Sequence, residues 1–206
     1  MLEKPDAHRR GYGQSKLAQV SMTNEIAGAF ARDGITMISL HPATLMDTTM
    51  VKGLGIPART TVDEGRDHVM GLIKAPTLQP GAFYVSGQVT PPEGGQIDVA
   101  GSVFAVPDIT RRPALADITL TTTSSLTAAL SLLDMPPFHF MAKAERPVTL
   151  GEGQARITTH LTLPLQKRVA LKDVDYDVVG TVTDFKSTVL VPGRPITAER
   201  LAISAD

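Results

Sequence analysis

Apolar residues Leu17, Val20, Ile26, Ala27 and Phe30 recur at helical spacing, and Asp33-Gly34 supplies a C-terminal stop. The spacing predicts a helix over 11–31. Ile35–Leu40 is a nearly continuous apolar run ended by Pro42, the pattern of a strand buried on both faces of a parallel sheet. Met50–Thr60 reads as a loop with a short helical turn. Thr61 opens a second helix through Lys74: its hydroxyl suits an N-cap, and Asp63 and Glu64 suit the positive end of the helix dipole. Pro76 and Pro80 bracket a loop before a short strand at Phe83–Val85.

The pattern changes at Val89–Gly95, where Pro91, Pro92, Gly94 and Gly95 cluster. Beyond this junction, period-two runs replace long helices. Strands are expected at Gln96–Phe104, Asp117–Thr122, Phe138–Ala142, Ala155–Leu163, Val174–Thr183 and Val189–Val191, with a short Ala- and Leu-rich helix over Ser124–Asp134. Gly151–Gly153 reads as a turn. Alternation puts Ile157, Thr159, Leu161 and Leu163 on one face, with Val174, Tyr176, Val178, Gly180 and Val182 as a second apolar row, while Arg156, Asp175 and Asp177 face the other way. The expectation is an α/β segment over residues 1–88, a junction at 89–95, and a β-rich segment over 96–206 that forms an open antiparallel sheet with one short helix.

Composition narrows the classes. The 206 residues are 42% hydrophobic and 20% charged, ordinary for a globular chain, and only 4% aromatic, with no Trp. A net charge of −1 gives no overall electrostatic case for nucleic acid or an anionic membrane. The absence of Cys excludes disulfides and thiolate metal sites. No apolar run approaches the ~18 residues of a membrane span, and residues 1–11 are too charged for a signal peptide.

Candidate chemistry concentrates at Tyr12 and Lys16, which a helix stacks on one face. A phenol ionises near pH ~10, and an adjacent ammonium favours the phenolate, so such a pair can act as a general acid/base on a hydroxyl or carbonyl. The spacing alone does not separate that role from a packed tyrosine beside a solvated lysine. Asp173, Asp175 and Asp177 alternate as a cation site or an exposed strand edge would, and no further ligand cluster accompanies them. The histidines are scattered; His160 reads as strand surface. No metal site is expected.

Tyr12-Gly13-Gln14-Ser15-Lys16-Leu17-Ala18, the run 35–40, His41-Pro42-Ala43-Thr44, Asp47–Val51, Ile56–Gly65 and Gly81–Tyr84 resemble, in that order, the C-terminal part of the short-chain dehydrogenase/reductase family over residues 1–88. The resemblance implies the C-terminal half of a Rossmann-type, dinucleotide-binding domain, a bacterial-type oxidoreductase ancestry and NAD or NADP as cofactor. It implies Tyr12 as acid/base and Lys16 as the residue that lowers its pKa and holds the nicotinamide ribose. Pro42, Ala43 and Thr44 would border the nicotinamide, with Ala43 replacing the family's glycine. The family's Gly-x-x-x-Gly-x-Gly turn and its catalytic serine are absent from this chain, so the chain is expected to begin inside a dehydrogenase and to bind the cofactor poorly.

Val99–Phe104, Val106-Pro107-Asp108, Leu126–Pro137, Gly151–Ala155, Leu163-Pro164-Leu165 and Val191–Arg194 resemble a segment of the YhdP/AsmA-like periplasmic proteins over residues 90–206. Those proteins build elongated β grooves associated with phospholipid movement, which implies a lipid acyl chain as partner for residues 96–206. The two resemblances point to different compartments, cytoplasm and periplasm. The expected function is a truncated dehydrogenase-like piece fused to a YhdP/AsmA-like β segment and inactive alone; the alternative is a lipid-groove or structural β module. Exposed sheet edges would favour self-association.

Overall fold

A computed structural model describes residues 6–108, 110–136, 139–191 and 193–205. A 27-residue helix, α1 (Asp6–Arg32), opens the chain. Gly34 ends it at φ +76, a left-handed conformation that glycine adopts without the penalty a Cβ brings. Then come β1 (Ser39–His41), α2 (Thr49–Gly53), α3 (Val62–Ile73) and β2 (Phe83–Val85). The α3 start follows the expectation closely: the Thr61 hydroxyl accepts from Glu64 N, and the Glu64 carboxylate accepts from Thr61 N at 2.6 Å, a reciprocal capping box.

The rest is sheet: β3 (Gln88–Val89), β4 (Ile97–Asp98), β5 (Ser102–Ala105), β6 (Leu115–Ser125), then helices α4 (Leu126–Leu133) and α5 (Phe140–Lys143), and the long strands β7 (Glu152–Pro164), β8 (Asp175–Ser187) and β9 (Ile196–Ala205). The molecule is a mixed α/β protein dominated by one open nine-stranded sheet, ordered β1-β2-β5-β6-β7-β8-β9, with β4 pairing β3 and β6. β1 and β2 are parallel. All other pairs are antiparallel, including β2 with β5, so hydrogen bonds run straight across the junction at 89–95.

The junction is also anchored. Glu93 N donates to Ser131 Oγ, and Ser125 Oγ, which caps α4, donates to Gly94 O at 2.6 Å. Gly94 lies so close to the backbone of Thr127 and Ala128 that a Cβ would overlap it. Beneath α4 the core gathers Leu126, Ala129, Ala155, Val182 and Phe185, with Leu130, Ile157, Ile196 and Ala198 against them. Phe185 reaches this core because the β7–β8 register shifts between Glu152 and Gln154, opposite Asp184 at φ +53, a bulge that changes the strand's facing.

Several elements differ from the sequence expectation, each for a local reason. The strand expected over 35–40 is short, because its one partner, β2, has three residues. The run 96–104 divides into β4 and β5: the Asp98 carboxylate accepts from Ala100 N, and Gly101 turns at φ +89. Phe138 lies outside the described residues, and the rest of that expected strand is the helix α5, whose Ala142 N donates to the Asp134 carboxylate. Gly151–Gly153 is not a turn. Gly153 is in β7, and both glycines press against β8 near Phe185 and Thr183 where a Cβ would collide. Val189–Val191 is not a strand, because Ser187 Oγ accepts from Val189 N and Leu190 N and folds the chain back. The strand there is β9, which the sequence reading missed.

Gly94 and Gly95 provide a built-in comparison. Both have positive φ, but a Cβ at Gly95 meets open space. Gly95→Ala should cost about 1–2 kcal/mol, the backbone penalty alone, whereas Gly94→Ala should cost at least about 2 kcal/mol more by displacing α4. Chemical denaturation of both variants measures the difference; equal losses would mean that the junction does not brace the helix.

Candidate functional site

On α1, Tyr12 and Lys16 lie one turn apart. The Lys16 ammonium sits 5.5 Å from the centroid of the Tyr12 ring, over its face, and donates to Gln19 Oε1 at 3.2 Å. Ser15 Oγ donates to Tyr12 O at 2.8 Å. The helix therefore does bring the two side chains together, in cation–π geometry. Tyr12 is 59% exposed, and among the described residues its hydroxyl has no hydrogen-bond partner.

Pro42, Ala43 and Thr44 follow β1 directly. Ala43 is buried. The His68 ring Nδ1 meets Pro42 O at 2.5 Å, which fixes that nitrogen as a donor, and Thr60 Oγ1 donates to Thr44 O at 2.8 Å. The Thr44 hydroxyl pairs with His41 Nε2 at 3.1 Å. Asp47 accepts from Val62 N and so joins this turn to the start of α3. His41, Thr60 and His68 were not singled out as site residues. They are recognisable only once the β1 turn and α3 are placed side by side. Among the described residues no hydrogen bond links Tyr12 or Lys16 to Pro42, Ala43 or Thr44.

Asn24, also on α1, is the residue that ties the helix to the sheet. Its Nδ2 donates to Gly81 O and Val106 O, each at 3.3 Å, one carbonyl on either side of the junction. On the helix Asn24 shares a face with Val20 and Ala27, and its two bonds serve bridging rather than chemistry. A cleft of about 330 Å³ lies beside it, and another of about 370 Å³ lies at the β7–β8 bulge by Ser125, Glu152 and Lys186. Neither includes Tyr12, Lys16, Pro42, Ala43 or Thr44.

The residues do not fit a nicotinamide dinucleotide as they stand. The Lys16 ammonium is turned to Gln19, the Thr44 hydroxyl is engaged by His41, and no Gly-x-x-x-Gly-x-Gly turn is present to receive a pyrophosphate. Asp175 and Asp177 are exposed on β8, and Asp173 lies in a 3-10 turn at Leu171–Asp173. Among the described residues no three His, Asp or Glu side chains gather as a metal site would require, and no helix is long and apolar enough to cross a membrane. His160 is exposed on β7 and pairs with Thr119.

Comparison with protein-family models, with curated proteins and with solved structures finds no match.

The capping box beside this turn has a pH signature. Hydrogen bonds from the Thr61 backbone and hydroxyl hold the Glu64 carboxyl below its usual 4.5. Its folded pKa is depressed, so the ionised cap contributes fully above that value and is lost as pH falls through the folded pKa. In Glu64→Gln, exchange protection at the start of α3 should be flat across this acid range, while in the parent it should fall; parallel profiles would remove Glu64 as the cause.

Proposed function

We propose that the chain acts as a β-sheet module whose apolar face holds a lipid acyl chain, the lipid-groove function that resemblance to the YhdP/AsmA-like proteins implies. The observation that carries this reading is the register of β6, β7 and β8. Ile118 lies opposite Leu161, which lies opposite Tyr176; Leu120 lies opposite Thr159, which lies opposite Val178; and Ala116 lies opposite Leu163. Opposed residues share a face, and on this face positions 116–124, 155–163 and 176–182 carry no charged side chain. Asp117, Arg156, His160, Asp175 and Asp177 fall on the other face. α4 covers one end of the apolar face. Beyond it, Ile118, Leu120, Leu161 and Val178 are only half-buried, and Tyr176 is 47% exposed. A methylene chain laid along these side chains would gain ~0.8 kcal/mol per buried CH₂.

The chain should bind a solvatochromic fatty-acid probe saturably. Leu161→Asp should weaken binding at least about tenfold, given ~1.5–3 kcal/mol for a buried leucine, and Thr158→Asp, on the opposite face, should not. Loss in both variants, or in neither, overturns the groove and leaves a purely structural module, one that continues a longer sheet.

The Lys16–Tyr12 pairing favours a second reading for residues 1–88: a short-chain dehydrogenase/reductase remnant, Rossmann-type in ancestry, that retains its acid/base pair and does not work alone. In calorimetric titration the chain should give no measurable heat with NAD(H) or NADP(H). A micromolar dissociation constant, together with ~100-fold lower turnover in Tyr12→Phe, would instead establish an active oxidoreductase.

A further inference from the structure

At the end of the sheet remote from α4, two loops lie side by side. Leu165 N donates to Ala114 O at 2.7 Å, just beyond the Leu115–Pro164 rung, so residues 110–114 before β6 and residues 165–172 after β7 share one rim. β6 separates this rim from α4 by 11 residues, roughly 35 Å of strand. The rim carries Arg111, Arg112, Lys167, Arg168 and Lys172, all exposed. Two carboxylates accompany them. Asp108 is occupied by the Thr110 hydroxyl and by the backbone of Thr110 and Arg111, and Asp173 closes the 3-10 turn. Asp117 and Asp175 stand on the first rungs behind the rim, on the face away from the apolar row. Among the described residues no ion pair engages Lys167, Arg168 or Lys172.

Between these cations two apolar side chains project into water: Leu165 at 46% and Val169 at 37% exposure. The whole-chain charge of −1 hides this local excess. We propose that the 110–114/165–172 rim is a docking surface for an anionic lipid membrane. Cations draw such a rim to anionic headgroups, and interleaved apolar residues enter the headgroup–acyl boundary. A nucleic acid would use the charge but has no use for Leu165 and Val169, and the rim offers no aromatic ring for bases to stack on. This assignment rests on the loops alone and stands apart from the acyl-chain reading of the sheet face.

The test is sedimentation of the full chain with vesicles of phosphatidylcholine, with and without phosphatidylglycerol. Binding should require the anionic lipid and weaken as salt rises. At about fivefold per removed charge, Lys167→Gln with Arg168→Gln should weaken it about 25-fold. Leu165→Ser with Val169→Ser should also weaken it, while Lys186→Gln at the opposite end should not. All substituted loop residues are exposed, and unchanged melting curves confirm the fold. Equal sedimentation with neutral vesicles, indifference to the Lys167/Arg168 pair, or tighter binding to an RNA duplex that ignores the Leu165/Val169 pair would overturn the proposal.

Discussion

The structure depends on both edges of β6 being filled. One edge is bonded along its full length to β7, from the Leu115–Pro164 rung to the Ser125–Gln154 rung. The other is shared by β5, at Ala105 to Val103, and by β4, at Asp98. An interior strand left unpaired on either side would bury donors and acceptors at ~1–3 kcal/mol each. The short strands β2, β4 and β5 therefore have a defined place only because β6 presents them a template. The parallel pair β1–β2 is in turn held to that template through β5, so the helical N-terminal third takes its position from strands that lie beyond the junction.

That dependence explains why the N-terminal helices look under-packed. Ala27 is the described residue that α1 buries fully, and Gly65 the one in α3. Leu17, Met22, Met50, Leu54 and Ile73 are all more than half exposed. Helices with apolar stripes normally cover a sheet face, and a β1–β2 pair of three rungs offers too little area for two of them. Asn24 and the turn bonded by His68 and Thr60 then hold the helices where burial does not, through a few directed hydrogen bonds.

Much of this was legible from the residues alone where one local signal sufficed. The α3 start was readable because Thr61 suits an N-cap and Asp63 and Glu64 suit the first turn, and the facing of β7 against β8 because the period of two survives from Ala155 to Leu163; the reciprocal bond from Thr61 N to Glu64 appears only in the structure. What was not legible required distant partners. β9 escaped notice because Glu199-Arg200 interrupts its apolar pattern, and its pairing with β8 supplies what its own residues do not. Val189–Val191 misled because three strand-forming residues are turned by one upstream hydroxyl, Ser187. At the candidate site, the Tyr12–Lys16 proximity follows from helical geometry, whereas the His41–Thr44 and His68–Pro42 pairings join residues whose adjacency only the tertiary arrangement creates.

The two outer edges of the sheet are unequal. β1 offers three residues and pairs in parallel on its inner side, while β9 offers ten and is antiparallel to β8. A head-to-tail contact between like copies would set a long edge against a short one and leave most of the long edge unbonded. A twofold contact matches β9 to β9 at full length, and it closes on itself, since it consumes the long edge of both copies. Growth through β9 would therefore stop at two, because neither copy has a second edge of that length to offer. The inequality of β1 and β9 sets the symmetry open to the sheet.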